Sequence, residues 1–368
     1  MKRVHFRMLC SVLCSLGIFC LMGARVQASP GEILATEDAP VQLSPGESIV
    51  QAQLAGQIIT TDTSIVYKML PVYATRRAAD KNQYGNSNNG YGELKIPTQI
   101  IKTGGYYFLV DCYHDQVLYT QNLGCPLKEW KVLTNQAKQP HTIASDGTVY
   151  LVDDTENNRV LVFERVNGRF QNTQVFPEIG KRPHYIVYDG ETDCFFTWSS
   201  LTGDMYVMKR EPVSNTVYIS EIRHINELSG IYVRSFTIAG DTIIFPSGNN
   251  CYVTVADKNT LEVLARYPVT EEISGMAQIC PIGNCYYITV STDLNYNQNS
   301  ATIIRTSDLT GLAYGQYEDI YHLFQTEGTP YYISGIDGMY YMTNHRSKKG
   351  VWRFAVEDDR VKNVGAVY

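Results

Sequence analysis

Residues 140–176 read PHTIASDGTVYLVDDTENNRVLVFERVNGRFQNTQVF, and the rhythm of this stretch decides the fold. Four short runs rich in Val, Leu, Ile, Phe and Thr occupy 140–146, 147–153, 158–165 and 169–176. Asp146-Gly147 and Asn167-Gly168 supply turn residues between them, as a chain of antiparallel strands requires.

On both sides of it, runs of the same texture begin near residues 106, 148, 193, 241, 284 and 338, each after a small or polar turn, at a spacing of roughly 42 to 54 residues. A recurrence of that length with about four strands per unit is the signature of a β-propeller rather than a sandwich. The sequence therefore predicts an all-β fold, a six-bladed β-propeller of four-stranded antiparallel blades over 96–368. The blades are expected to begin near Ile96, Gln139, Arg182, Gly230, Ser274 and Thr329.

The run from Val152 through Asp153, Asp154, Thr155, Glu156, Asn157, Asn158 and Arg159 to Phe163 resembles the central signature of NHL repeats, in which Asp, Asn and Arg hold the turn between the second and third strands. Asp154, Asn157 and Arg159 are then read first as turn-holding groups: a carboxylate capping amides, an Asn suited to unusual turn geometry, and an Arg paired with the acid. The first blade keeps Val110, Asp111, Gln116 and Val117 but is a residue shorter, with Cys112 aligned to Asp154. The other four blades keep only the strand rhythm.

The N-terminus reads as an export signal, with Lys2, Arg3 and Arg7 ahead of an apolar run over 8–22 that is short for a bilayer span. Val26 and Ala28 place the expected cleavage after Ala28. Cys10, Cys14 and Cys20 follow Leu9, Leu13 and Phe19, not the small residues of a lipidation site. The expectation is an exported, extracellular chain without membrane insertion. Losing Lys2, Arg3, Arg7 and Arg25 from 31 basic against 37 acidic residues leaves a net charge near −10, which argues against nucleic acid and anionic lipid as partners.

Six cysteines follow residue 28, and an even number in an exported chain permits disulfides. Cys280 and Cys285 flank a hairpin turn and are the best candidate pair, free buried thiols being the alternative. Residues 29–95 fall outside the repeat: 40–45 reads as linker, 57–73 as one or two strands, and 80–92 as an Asn- and Gly-rich loop. Those strands are expected to cover the outer edge of a blade or to form an incomplete seventh.

Propeller geometry brings the start of each blade's first strand and its second-to-third turn to one face of the disc. Pro140-His141 and Pro183-His184 are the same dipeptide at equivalent positions there, joined by Arg234 and Tyr331. Turns add His114, the polar stretch 293–300, and Asn344, His345 and Arg346. The candidate ligand-binding set is His141, His184, Arg234, Tyr331, His114 and Arg346, a mouth suited to a peptide, a glycan or a small anionic ligand. The plainer reading has each Pro-His turn the chain into its strand, the imidazole bonded to backbone.

Two further resemblances bear on chemistry. The mouth is similar to that of peptidylglycine amidating lyases, six-bladed propellers that hold a metal with channel histidines, which implies a divalent metal on His141 and His184 completed by His114 or Asp153. Virginiamycin-type lyases, also propellers with a histidine on one face, are similar in fold. The readings in play are a recognition module, a lyase or hydrolase using these histidines as acid and base or as metal ligands, and an interaction protein with an inert channel. No G-x-S-x-G elbow, P-loop or H-E-x-x-H occurs.

Overall fold

Alternation of apolar and polar residues, broken every five to eight residues by Gly, Asn or Asp, folds into six blades of four antiparallel strands in a computed structural model. It describes residues 57–77 and 87–368 and the backbone of 41–43. The expected export signal and cleavage after Ala28, residues 40 and 44–45 of the expected linker, and residues 80–86 of the expected loop lie outside the described residues. Among the described residues no helix is long and apolar enough to cross a membrane.

Blade 1 runs from Pro97–Thr103 to Lys131–Thr134, blade 2 from Ile143–Ser145 to Arg169–Phe176, and blade 3 from Pro183–Asp189 to Val217–Ile225. Blade 4 runs from Thr237–Ala239 to Val263–Pro268, blade 5 from Gly275–Ile282 to Glu318–Asp319, and blade 6 from Thr329–Ile336 to Arg360–Ala366. Three N-terminal strands, β1 (Val41–Leu43), β2 (Gln57–Thr60) and β3 (Ser64–Ala74), extend the sheet of blade 3 outward. In it β3 lies antiparallel to Val217–Ile225, β2 antiparallel to β3, and β1 parallel to β3.

Each blade has two apolar faces, and each face packs on a neighbour. Six buried clusters result, one for every junction of the ring. Phe108, Tyr150 and Phe170 fill the junction of blades 1 and 2. Ile186, Phe195 and Val160 fill that of blades 2 and 3, with Val72 and Ala74 of β3. Trp198 and Phe245 join blades 3 and 4, Ile244 and Ile288 blades 4 and 5, and Tyr287 and Phe354 blades 5 and 6. Ile100, Trp130 and Val351 close blade 6 onto blade 1.

Near the axis, hydroxyl and amide side chains stitch first strands together. Thr98 Oγ1 donates to His141 O (2.8 Å), Thr142 Oγ1 accepts from Ile186 N (3.0 Å), Ser235 Oγ donates to Ala277 O (2.7 Å) and Gln278 Oε1 accepts from Ile333 N (2.6 Å). Thr343 Oγ1, donating to Thr98 O at 2.8 Å, repeats the motif across the closing junction. Such bonds satisfy backbone groups that curvature withdraws from the regular ladder.

All six described cysteines are free. In the hairpin expected to carry a disulfide, Cys280 lies opposite Tyr287 and Cys285 opposite Ile282, so the two thiols are diagonal rather than facing. Burial pushes the Cys280 thiol up to about 12, keeping it protonated and inert.

Candidate functional site

Two local devices present the Pro-His dipeptides. Gln139 and Arg182, each just before the proline, adopt positive φ (49° and 59°), and their N–H groups donate to Asp115 Oδ1 and Asn158 Oδ1 of the preceding blade (2.9 and 2.8 Å). Asp115 and Asn158 are themselves left-handed turn residues (φ 54° and 52°), a conformation Asp and Asn tolerate. The turns of blades 1 and 2 are built alike, and each hands the chain to the next blade's first strand.

The strand pairing of those turns sets one residue equivalence differently from the sequence. Asp111, not Cys112, stands where Asp154 stands: Asp111 faces Gln116 across its strand pair as Asp154 faces Arg159. Asp154 accepts from Lys138 N (2.6 Å), Asn157 Nδ2 (2.9 Å) and Arg159 Nε. Asp111 accepts from Lys95 N (2.9 Å), Gln116 Nε2 (3.2 Å) and His114 Nδ1 (2.6 Å). His114 is thus the counterpart of Asn157, a turn-holding group. Its ring stacks on Tyr91 at 3.7 Å and does not line the channel mouth, so it leaves the candidate set.

Cys112 and Thr155 are then equivalent, and they grip His141 from two sides. Thr155 Oγ1 lies 2.9 Å from His141 Nδ1 and 2.6 Å from Asp153 Oδ2. The carboxylate can only accept, so the hydroxyl gives its proton away and receives one from Nδ1–H. Nε2 is left with a lone pair, 3.7 Å from Cys112 Sγ, and the ring lines the cavity. Burial pushes the Cys112 thiol far up, so it faces the imidazole as S–H.

His184 is committed differently. Its Nδ1 is 3.0 Å from Arg234 O, an acceptor, so Nδ1 carries the proton, and Nε2 accepts from the Tyr232 or Tyr331 hydroxyl at 3.2 and 3.4 Å. Burial, with His141, Arg234 and Arg182 close by, holds its pKa well below the ordinary range. The ring lies beneath His141 at a centroid distance of 3.7 Å and does not line the cavity. With Tyr332, whose hydroxyl donates to Arg234 O (2.9 Å), and with Tyr185 and Gln278, it forms a bonded floor where side chains of opposite blades meet. Of the two matching dipeptides, one faces the mouth and the other supports it.

Above this floor is a cavity of about 220 Å³. His141, Arg234, Tyr331 and Arg346 from the candidate set line it, and so do Cys112, Arg182, Tyr232 and His345. His345 stacks on Tyr331 at 4.3 Å. Burial and the nearby His141 push its pKa down to about 3, partly opposed by the Pro97 carbonyl. That carbonyl can only accept, so Nδ1 carries the proton, and Nε2 is buried without a hydrogen-bond partner. Sequence reasoning placed His345 on this face without selecting it; no feature of the sequence distinguishes it from its neighbours Asn344 and Arg346.

The charge of the cavity wall is one-sided. Arg182, Arg234 and Arg346 are present, and among the described residues no Asp or Glu lines it. Arg182 pairs with Glu156 at the rim. Arg234 rests over the Tyr232 ring (4.7 Å) and donates to Met276 O (3.1 Å), but among the described residues neither Arg234 nor Arg346 has a carboxylate partner. Two guanidiniums without carboxylate partners in an acidic chain make this wall locally positive. For a metal the arrangement is poor: both His184 nitrogens are used, and among the described residues no three His, Cys, Asp or Glu side chains converge on one point.

No family model and no curated protein matches the chain. Among solved structures it is similar to a putative 6-phosphogluconolactonase from Bacteroides uniformis, with 12% identity, a TM-score of 0.53, and coverage of 71% of this chain and 82% of that one. A second putative 6-phosphogluconolactonase, from Bacteroides fragilis, also has 12% identity and a TM-score of 0.53, over 83% of this chain and 94% of the other. At that identity the likeness is one of fold.

Proposed function

We propose that this chain is an exported, NHL-like propeller that recognises a small, hydroxyl-bearing anion at the mouth of its channel. The observation that carries the reading is the wall itself: three arginines, two of them without an acidic partner among the described residues, and no carboxylate among the described residues that line it. Arg234 and Arg346 would take the anionic group. The unpartnered Nε2 of His345 accepts a hydrogen bond, so the ligand should carry a hydroxyl close to its charge.

Calorimetric titration with 6-phosphogluconate, galacturonate and neutral glucose tests this. The acids should bind and glucose should not. Arg234→Gln should weaken acid binding by about 10- to 100-fold, the scale of one charge-assisted hydrogen bond, while His114→Ala leaves it unchanged. Equal binding of glucose, or indifference to Arg234→Gln, would sink the proposal.

A second reading, a hydrolase or lyase, draws support from His141. Its Nδ1 is tied through Thr155 to Asp153, which leaves Nε2 oriented as a proton acceptor at the cavity wall. The two structural neighbours are described as putative phosphogluconolactonases, and a phosphorylated sugar lactone is an anionic, hydroxylated molecule of the proposed class. Turnover of such a lactone that disappears in His141→Gln, with acid binding retained, would favour the enzyme. Binding without turnover leaves the recognition module.

A further inference from the structure

Arg346 belongs to two cavities. On one side it lines the mouth; on the other it borders a groove of about 700 Å³, more than three times the 220 Å³ of the mouth. The groove lies between the connector entering blade 6 (Gln325, Thr326, Glu327) and the turn carrying Arg346, Ser347, Lys348 and Lys349, with Trp352 at its side.

Its walls are tied together. Thr326 Oγ1 and Ser347 Oγ are 2.9 Å apart, and Asn344 Nδ2 donates to Glu327 O at 2.9 Å. Asn344 Oδ1 in turn accepts from Tyr321 OH at 3.0 Å. Gly328 lets connector and turn touch: at φ 108° a Cβ there would lie 2.2 Å from His345 O, so no other residue fits without displacing a backbone. Trp352 is oriented by its Nε1–H donating to Lys349 O (3.1 Å) and by edge contact with Phe324 (6.2 Å).

We propose that mouth and groove are one site, and that it takes an acidic oligosaccharide end-on: the terminal unit in the mouth and the following units over Arg346 along the groove. The inference rests on the anionic reading of the mouth and extends it. Arg346, Lys348 and Lys349 face the single carboxylate of Glu327, and among the described residues neither lysine has an acidic partner. The positive character of the mouth therefore continues outward. A held indole among Gln, Thr and Ser suits a sugar ring, whose C–H face packs on the aromatic surface while its hydroxyls reach the polar groups. An extended acidic peptide would need a free strand edge or a series of apolar side-chain pockets, and the groove is walled by a connector, a turn and Trp352, its lone apolar side chain among the described residues.

The test compares galacturonate with linear tetragalacturonate. With the wild-type protein the tetramer should bind roughly ten-fold tighter than the monomer, and its advantage should shrink as salt rises. Lys348→Gln/Lys349→Gln, at exposed positions where folding is not at risk, should reduce the tetramer to the affinity of the monomer while leaving the monomer's affinity unchanged; Trp352→Ala should do the same. Equal affinities of monomer and tetramer for the wild type would overturn the proposal, as would competition by tetraglutamate as effective as that of the tetramer. Either result with monomer binding still dependent on Arg234 leaves the mouth reading standing. Failure of the monomer itself to bind removes both.

Discussion

Two imidazoles beside the mouth, His345 and His184, are buried against neighbours that hold them neutral. The unfolded chain takes a proton on both near pH 6.5, whereas His345 resists it down to about 3 and burial pushes His184 the same way. Between pH 6.5 and 5 the unfolded state binds protons that the folded state refuses. Stability therefore falls as the pH falls, by up to about 1.4 kcal/mol per pH unit for each histidine. Urea midpoints at pH 7 and pH 5 should show the loss, and His345→Gln should shrink it while the other acid–base pairs cancel in the comparison; equal slopes for the two proteins would exclude it. Sequence reading reached His141, Arg234, Tyr331 and Arg346 of the cavity wall because repeats place like residues alike: Pro140-His141 and Pro183-His184 pointed to one face. It could not tell that His141 lines the cavity and His184 the floor, because that depends on side chains from three other blades. It misplaced His114 for a local reason. The missing residue of blade 1 lies ahead of Asp111 rather than inside the turn, and only the pairing of Asp111 with Gln116 reveals this.

Strand order was legible from turn residues, but strand ends were set by side chains. The first strand of blade 2, expected over 140–146, pairs only at Ile143–Ser145. Asp153 takes the amides of His141 (2.9 Å) and Thr142 (2.5 Å) that a longer strand would give to its neighbour. An edge can be satisfied by strands as well, and β3 does this on blade 3. Apolar alternation over 57–73 marked a strand for a rim, whereas the choice of blade depends on complementarity at long range. Gln174 of blade 2 reaches both Ala74 O and Val217 O at 3.0 Å, and Arg76 pairs with Glu164 at 2.9 Å, so β3 is fastened to two blades. Val72 is fully buried in their shared core. Val72→Asp should cost several kcal/mol by burying an unpaired charge, and should lower the midpoint of thermal unfolding by about 5–10 °C. An unchanged midpoint would mean that β3 is an ornament on the rim rather than part of the core.

A ring of six blades has six junctions, and the chain crosses five of them. Blades 1 and 6 are far apart in sequence, among the described residues no strand is exchanged between them, and the contacts across their junction run through side chains. Trp130 is the largest of these. It is fully buried, its Nε1–H donates to Tyr368 OH at 3.1 Å, and the Tyr368 ring meets it edge-on at 5.8 Å. Tyr368 OH in turn reaches Cys125 O (3.0 Å), and the ion pair of Lys102 with Asp337 (2.5 Å) lies at the exposed rim, where it adds little. Trp130→Ala should cost about 3–5 kcal/mol. Its distribution is the more telling quantity, because a junction without a connecting segment is where a closed ring can open. Hydrogen exchange should show amides of 97–134 and 329–366 losing protection together in the variant, while the strands of blades 3 and 4, packed around Trp198 across the ring, keep theirs. Equal loss of protection in all six blades would mean that the ring opens as one unit and has no weakest junction. The mouth spans this seam, with Cys112 from blade 1 and Tyr331, His345 and Arg346 from blade 6 among its walls, so a ligand bridging them should slow the same amides and restore part of the lost protection.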